Sequence, residues 1–260
     1  MTKSRFNLRN VAIIACLAVT SMMFSGCDKD DDPNGNGNLG GNASKITATN
    51  VINSSSQIAT VKVELYWDTE DDWGSDVIAQ AAYKDSGFTL ELPATVSNKY
   101  LYLLAEGAPS GITISDKTVK CVAEIDIEAY DKDDDNIGGF YLTNDDESAY
   151  AMWIYVDKNV TIKGEERDID EEYNEEYIIK YDMDLKKGWN VVYGKEAESH
   201  NNSTGRDVYT YSMTTQAPSG VTLKWYFDSY DYYDYFVSLK SAKSVLKKKY
   251  VFPKLKESRK

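Results

Sequence analysis

Histidine is nearly absent from this sequence, which has 260 residues and one histidine, His200. One histidine excludes a metal site built from several imidazoles. A Ser-His-Asp triad would need an activated serine beside His200, and nothing in the polar stretch Glu198 to Ser203 marks one. A glycosidase needs only two carboxylates at a defined separation, but 42 Asp and Glu residues do not single out a pair. The sequence therefore nominates no catalytic residue.

A membrane-spanning apolar run is also missing. The uncharged stretch Val11 to Phe24 has fourteen residues, whereas a transmembrane helix needs about 20. Lys3, Arg5 and Arg9 precede it. A basic segment followed by a short apolar run is typical of a secretory signal peptide.

Phe24-Ser25-Gly26-Cys27 closes this run with two small residues before a cysteine. This end resembles the signal of bacterial lipoproteins, although Phe24 replaces the usual aliphatic residue. The resemblance implies that residues 1–26 are removed, and that Cys27 becomes the first mature residue and is acylated with chains such as palmitate. Several acyl chains are enough for stable membrane anchoring, so we expect the partner of Cys27 to be membrane lipid.

The residues after Cys27 bear on which membrane holds the chain. Asp28-Lys29-Asp30-Asp31-Asp32 resembles the surface-export signal of Bacteroidota-type lipoproteins, a lysine followed by acidic residues. An aspartate directly after the cysteine instead favours inner-membrane retention in many Gram-negative bacteria, and a plain hydrophilic tether is the third interpretation. We expect the outer membrane, with the domain displayed at the cell surface.

The other two cysteines do not form a disulfide in this interpretation. Cys16 leaves with the signal and Cys27 carries lipid, so only Cys121 remains in the folded part. Cys121 lies in the apolar stretch Val119 to Ala123. We expect it to be a small buried side chain rather than a reactive thiol.

Composition divides the mature chain into three parts. Residues 27–44, rich in Gly, Asn and Asp, are expected to be a flexible linker, followed by a folded domain over 45–236 and a basic tail over 237–260. The tail has nine Lys or Arg and one Glu, a net charge of +8, and the signal has +3. Subtracting both from −13 leaves −24 for residues 27–236. This charge argues against nucleic acid as a partner and is compatible with cationic or neutral ones.

Alternation of apolar and polar residues dominates the domain. Examples are Val61 to Leu65, Phe88 to Leu92 and Ile179 to Leu185, and a period of two is that of half-buried strands. No convincing helical stripe is present; the nearest case, Asp76 to Tyr83, fits a strand equally well. We predict an all-β fold, an antiparallel β-sandwich of about a dozen short strands with one wet face each, with a closed barrel as the alternative.

Turn-forming sequences and a match between two segments of the chain add detail to this prediction. Asp85 to Gly87, Asn136 to Gly139 and Lys186 to Gly188 have turn-forming sequences at hairpin spacing. Tyr100 to Ile114 matches Tyr209 to Leu223 at seven of fifteen positions, including Ala-Pro-Ser-Gly, which suits a type I turn. The match indicates either two related repeats or two independent uses of one turn.

Three stretches are candidate binding sites. Asp131, Asp133 and Asp135 alternate like calcium ligands, but Asn136 and Leu142 break the EF-hand pattern, so the alternatives are a different calcium loop or a solvated hairpin tip. The acidic run Gly164 to Glu176 is expected to be an exposed loop. The third stretch, Trp225 to Phe236, interleaves rings with carboxylates. Its candidate ligand-binding residues are Tyr226, Tyr230, Tyr232 and Tyr233; Trp225 and Phe227 are expected in the core.

These patterns favour a membrane-anchored binding or structural module, with a glycan or a protein as its ligand. A carboxylate-dependent glycan-active enzyme and a pilus-like assembly subunit are the alternatives. Calcium is the only candidate cofactor. The sign reversal after Phe236 predicts that the basic tail docks on the acidic domain or stays disordered near it, in preference to binding an anionic membrane.

Overall fold

A computed structural model describes residues 43–68, 73–123 and 125–229, all within one compact unit of the chain. Cys27, the linker as far as residue 42 and the basic tail lie outside the described residues. The described residues form two 3₁₀ helices, Asn98–Tyr100 and Leu104–Gly107, and fifteen strands. These are β1 (Lys45–Ala48), β2 (Thr60–Asp68), β3 (Trp73–Ala82), β4 (Phe88–Glu91), β5 (Tyr102–Leu103), β6 (Ile112–Ile114), β7 (Lys120–Val122), β8 (Asp126–Tyr130), β9 (Asn136–Thr143), β10 (Ala149–Val156), β11 (Val160–Asp170), β12 (Glu175–Leu185), β13 (Gly188–Asn201), β14 (Arg206–Thr214) and β15 (Lys224–Ser229).

The all-β prediction is confirmed, and the strands form one large sheet and one small one. Strands β1 and β4 pair with each other, and the other thirteen belong to a sheet whose main path is β3-β2-β8-β9-β10-β13-β14-β12-β11-β6. Strand β15 pairs with β9, and β7 pairs with β10 and β5. The sheet is not purely antiparallel, because β12 and β14 are parallel.

Strand β10 and the first half of β13, as far as Gly194, are buried on both faces, which corrects the expectation of one wet face per strand. On β10, Trp153 and Tyr155 enter one core while Met152, Ile154 and Val156 enter another. On β13, Trp189 and Val191 belong to the first core and Val192 to the second. Successive strand residues point to opposite faces, so a continuous apolar run supplies both cores at once.

Aromatic rings fill much of the first core. Trp153 stacks on Trp225 at 5.8 Å between ring centroids, and Phe88 meets Phe140 at 4.9 Å. Trp189 is fully buried and donates its indole N–H to the Pro93 carbonyl at 2.8 Å. Offset or tilted ring pairs at these distances add to the free energy of burial. The expected core positions of Trp225 and Phe227 are confirmed.

Cys121 occupies the second core with no exposed surface, as its apolar surroundings predict. Among the described residues, no helix has the length and apolar character that a membrane crossing requires.

Two of the three turn predictions need correction. Asp85 and Ser86 turn the chain with φ of 52° and 54°, a left-handed pair typical of a tight hairpin turn. The second stretch, Asn136 to Gly139, lies within strand β9 instead. The third, Lys186 to Gly188, is a turn, but it joins β12 and β13, which are not paired with each other.

The two matching segments, Tyr100 to Ile114 and Tyr209 to Leu223, share a turn but differ in secondary structure. The first copy contains the 3₁₀ helix Leu104–Gly107 and the short strands β5 and β6, whereas the second begins with strand β14. Gly111 and Gly220 both have positive φ, 99° and 73°, and the Ile112 N–H donates to the Pro109 carbonyl at 3.3 Å. Proline is therefore the first residue of the turn and glycine the third, which is a type II arrangement and not the predicted type I.

Gly164 supplies a test of how closely β6 approaches β11. Its φ is 132°, and an added Cβ would lie 2.3 Å from the Gly111 carbonyl oxygen. Strain in such a conformation costs about 1–3 kcal/mol, and a clash with backbone adds about 1–3 kcal/mol. Gly164→Ala should therefore lower the free energy of unfolding by roughly 2–6 kcal/mol in urea denaturation.

Gly205→Ala is the matched control. Gly205 also has a positive φ, 70°, but nothing lies within 4 Å of its added Cβ. In this variant the free energy of unfolding should fall only by the cost of the left-handed conformation, about 1–2 kcal/mol. Equal losses in the two variants would show that the Gly111 contact is looser than described.

Candidate functional site

Strands β11, β12, β14 and β13 lie side by side in that order and continue beyond the second core. Registered residues form rows across the four strands, and residues two apart on a strand share a face. Three consecutive rows on one face are Glu166, Ile179, Tyr211 and Glu196; then Asp168, Tyr177, Tyr209 and Glu198; then Asp170, Glu175, Asp207 and His200. We name these twelve residues the acidic tyrosine face.

The acidic tyrosine face has a regular arrangement of charge. Seven of its twelve positions are Asp or Glu, and none of the twelve is Lys or Arg. In the first two rows the outer strands β11 and β13 each contribute a carboxylate, and the inner strands contribute an aromatic or aliphatic side chain. An apolar strip of four residues, three of them tyrosines, therefore runs between two lines of carboxylates.

The strip is a continuation of the second core toward the surface. Ile179 and Tyr211 are buried members of that core, and Tyr177 and Tyr209 are half-buried side chains packed against it. The Tyr177 and Tyr209 rings stack at 5.4 Å between centroids with 20° between their planes. Core packing and ring stacking thus fix the positions of these rings.

Two of the tyrosine hydroxyls are turned toward neighbouring carboxylates. Tyr211 donates to Glu196 Oε1 at 3.2 Å, and Tyr177 donates to Glu175. A phenol hydroxyl has one proton to donate. What these side chains offer a ligand is therefore mainly ring surface.

The pKa of Tyr209 reports the negative potential at this face. Burial raises the pKa of Tyr209, and the charges of Glu175, Glu198, Asp207 and Glu196 raise it further. Burial, and then the Glu196 charge, raises the pKa of Tyr211 in the same way. The potential that disfavours a phenolate also favours a bound cation.

The opposite face of the same four strands has both signs of charge. Arg167 lies 2.6 Å from Glu165 and 3.0 Å from Glu176, and Lys163 lies 3.1 Å from Asp182. Lys180 and Lys195 share that side, by the same alternation. The two faces therefore differ in charge: these basic side chains lie on the opposite face, and the acidic tyrosine face has carboxylates without Lys or Arg.

This arrangement has the chemistry of a cation-binding surface. Ring faces attract Lys and Arg head groups, carboxylates pair with them, and an apolar strip accommodates their methylene stems. His200 is exposed near the end of β13, and its Nδ1 lies 2.8 Å from Asp207 Oδ1.

Away from this face, in the part of the chain that the structure describes, Glu64 and Glu128 lie on either side of one tyrosine hydroxyl. Tyr130 Oη lies 2.9 Å from Glu64 Oε1 and 2.9 Å from Glu128 Oε2, and the Lys62 ammonium lies 3.9 Å from the Tyr130 ring centroid. The hydroxyl occupies the space between the carboxylates, and Glu128 and Tyr130 are buried. This cluster therefore stabilises the β2–β8 pair and offers a glycoside substrate no place between its carboxylates.

The predicted calcium residues lie at the tip of the β8–β9 hairpin. Asp131 Oδ1 accepts the backbone N–H groups of Asp133 and Asp135 at 2.9 and 3.0 Å. Asp134, which the prediction omitted, pairs with Lys62 at 2.6 Å. Among the described residues, no group of three or more His, Cys, Asp or Glu side chains is placed to hold a metal ion. Calcium binding at Asp131, Asp133 and Asp135 stays a prediction.

Of the four candidate tyrosines, the structure describes only Tyr226. It is half-buried on β15 and donates to Asp145 Oδ1 at 2.6 Å, which raises the pKa of Tyr226 to about 12. Lys224 donates to the same carboxylate at 2.8 Å. Tyr230, Tyr232 and Tyr233 lie outside the described residues, as does the lipidation residue Cys27.

Sequence reasoning missed the acidic tyrosine face because it interpreted Gly164 to Glu176 as a loop. Only 171–174 turn there; the rest belongs to β11 and β12. The polar stretch around His200 is likewise strand as far as Asn201. A signal was present, since Glu166, Asp168 and Asp170 alternate with Glu165, Arg167 and Ile169. The face emerges only when β14 is placed between β12 and β13.

Comparison with known proteins adds no relative: no protein-family model, curated protein or solved structure matches this chain.

Asp228, beside Tyr226 on β15, supplies a pH test. Burial, followed by the charge of Glu147, raises its pKa above 3.8. A raised carboxyl pKa favours the folded state below the unfolded pKa, and this contribution is lost as pH rises through the folded pKa. Asp228→Asn should therefore raise the melting temperature at pH 7 and change it little at pH about 3.

Asp146→Asn is the control of opposite sign. Hydrogen bonds from Ser148 lower the pKa of Asp146, so its contribution is present above the unfolded pKa. This variant should melt at a lower temperature than the parent at pH 7. A fall in melting temperature for Asp228→Asn at pH 7 would contradict the description of β15.

Proposed function

We propose that this chain is a lipoprotein of the outer membrane, displayed at the cell surface, whose acidic tyrosine face binds a cationic segment of a partner protein. The observation that carries the binding proposal is the strip of Ile179, Tyr177, Tyr209 and Tyr211 between two lines of carboxylates. The anchoring proposal rests on the signal that ends at Cys27.

The charge of the face favours a protein ligand over a glycan. Neutral sugars stack on aromatic rings, and the stacked Tyr177 and Tyr209 rings would serve for that. Seven carboxylates in three rows, however, repel anionic glycans and have their strongest complement in Lys and Arg. Arg and Lys also bury their stems on apolar surface, so one basic segment satisfies both parts of the face.

Fixed ring positions support binding rather than catalysis. The twelve positions of the face contain one histidine and no serine or cysteine, and the carboxylate pair at Tyr130 is closed by a hydroxyl. A prefolded surface binds with little ordering cost. The chain therefore acts by holding a partner at the membrane surface.

The binding proposal predicts a charge-specific loss of affinity. The probe is fluorescent octaarginine, and the variant replaces Glu166 and Glu196 and Glu198 by Gln and Asp168 by Asn. Exposed charge pairs contribute about 0.2–1 kcal/mol each. Loss of four of them should weaken binding by about fourfold or more in fluorescence anisotropy at low salt.

The matched control removes four charges from the opposite face. Glu165 and Glu176 change to Gln, and Asp182 and Asp184 change to Asn, so net charge rises by the same amount. This variant should bind octaarginine within about twofold of the parent. An equal loss of affinity in both variants would mean that octaarginine responds to net charge alone, which would reject the proposed face.

Anchoring is tested separately by Cys27→Ser. Without a thiol the chain cannot be acylated, and acyl chains account for stable membrane attachment. The variant should move from the detergent phase to the aqueous phase in a Triton X-114 partition of expressing cells. Unchanged partition of the variant would reject lipid attachment at Cys27.

A further inference from the structure

The chain contains a segment whose charge is opposite to that of the acidic tyrosine face. Residues 237–260 have nine Lys or Arg and one Glu, and they lie outside the described residues. The face has seven carboxylates on twelve positions. The two sets of charges are therefore close to complementary in number as well as in sign.

The segment also matches the apolar strip. Leu246 and Tyr250 flank Lys247, Lys248 and Lys249, and Phe252 follows two residues later. Large side chains next to a run of lysines fit a surface on which rings lie between two lines of carboxylates. A uniformly charged surface would attract the lysines but would leave these side chains in water.

Chain length permits contact with the face. Ser229, the last described residue, pairs with Gly138 on β9, and the row through Thr143, Tyr150 and Gly194 connects β9 to β13. With strands about 4.8 Å apart and a rise of about 3.4 Å per residue, Ser229 lies roughly 35 Å from Glu198 along the sheet. Lys243, which is fourteen residues further on, can lie up to about 48 Å from Ser229.

We infer that residues 237–260 occupy the acidic tyrosine face of the same chain when no partner is bound, an inference that rests on the proposed function. A tethered segment is present at about millimolar effective concentration. A free cationic partner must displace it, so the segment sets a threshold affinity for binding. Cations that bind the face weakly do not displace the segment, whereas a partner that binds the face with higher affinity does.

The test measures competition by the attached segment. The probe is a fluorescent synthetic peptide of residues 237–260, and the full chain is compared with a tail variant whose nine Lys and Arg are replaced by Gln. With an effective concentration of about 1 mM, an affinity of about 100 µM or tighter makes the parent bind the probe about tenfold more weakly than the tail variant. Equal binding within twofold would overturn the inference.

A third chain separates the two proposals. It combines the tail variant with the four substitutions at Glu166, Asp168, Glu196 and Glu198, and it should lose the tight binding of the probe. If the tail variant itself does not bind the probe, the proposed cationic ligand fails and the inference fails with it. If the parent and the tail variant bind the probe equally well, only the occupancy by the attached segment fails.

Cross-linking shows whether the contact is made within one chain. A carbodiimide joins adjacent lysine and carboxylate side chains, and mass spectrometry identifies the joined residues. Under dilute conditions the monomer should yield links between 243–249 and the face, most directly to Asp168 or Glu198. Links found only in a cross-linked dimer would mean that a second copy supplies the segment, which overturns occupancy in the same chain.

Discussion

The structure depends on the pairing of β10 with β13, two strands whose opposite faces fill different cores. Trp153 lies opposite Val191 in the first core, and Met152 lies opposite Val192 in the second. A slip of one residue would exchange the two sets of side chains. The buried Asn190 helps to fix this register, because its side chain bonds Lys186 and Gly188 in the preceding turn at 2.7–2.9 Å. One buried polar side chain thus fixes the turn from which β13 begins.

The side chains of the acidic tyrosine face are positioned by strands that also line the second core. On β12, residues Met183, Tyr181 and Ile179 line the second core, and the same alternation then places Tyr177 on the surface. The face is therefore built on continuous strands and not on loops, which suits precise positioning of side chains. Its carboxylates come from β11 and β13 at either side, so the two lines of charge are held apart by the width of two intervening strands.

Local alternation in the sequence was enough to predict strands, the buried Cys121 and the core positions of Trp225 and Phe227. It could not show that β10 has no wet face, because a short apolar run such as Met152 to Val156 is consistent with several kinds of burial. The acidic run at 164–176 was interpreted from composition, although its alternation was that of a strand. The tyrosines of the face are far apart in sequence, and only the parallel pairing of Tyr177 with Tyr209 brings them together.

The place of β14 has a consequence for the order of folding. Spatially β14 lies between β12 and β13, yet it follows both in the chain. During synthesis from the N-terminus, β12 and β13 therefore emerge before the strand that joins them. Half of the tyrosine strip is missing until residues 206–214 are added. A nascent chain that ends before β14 therefore has the carboxylates of β11 and β13 but only Ile179 and Tyr177 of the four strip residues.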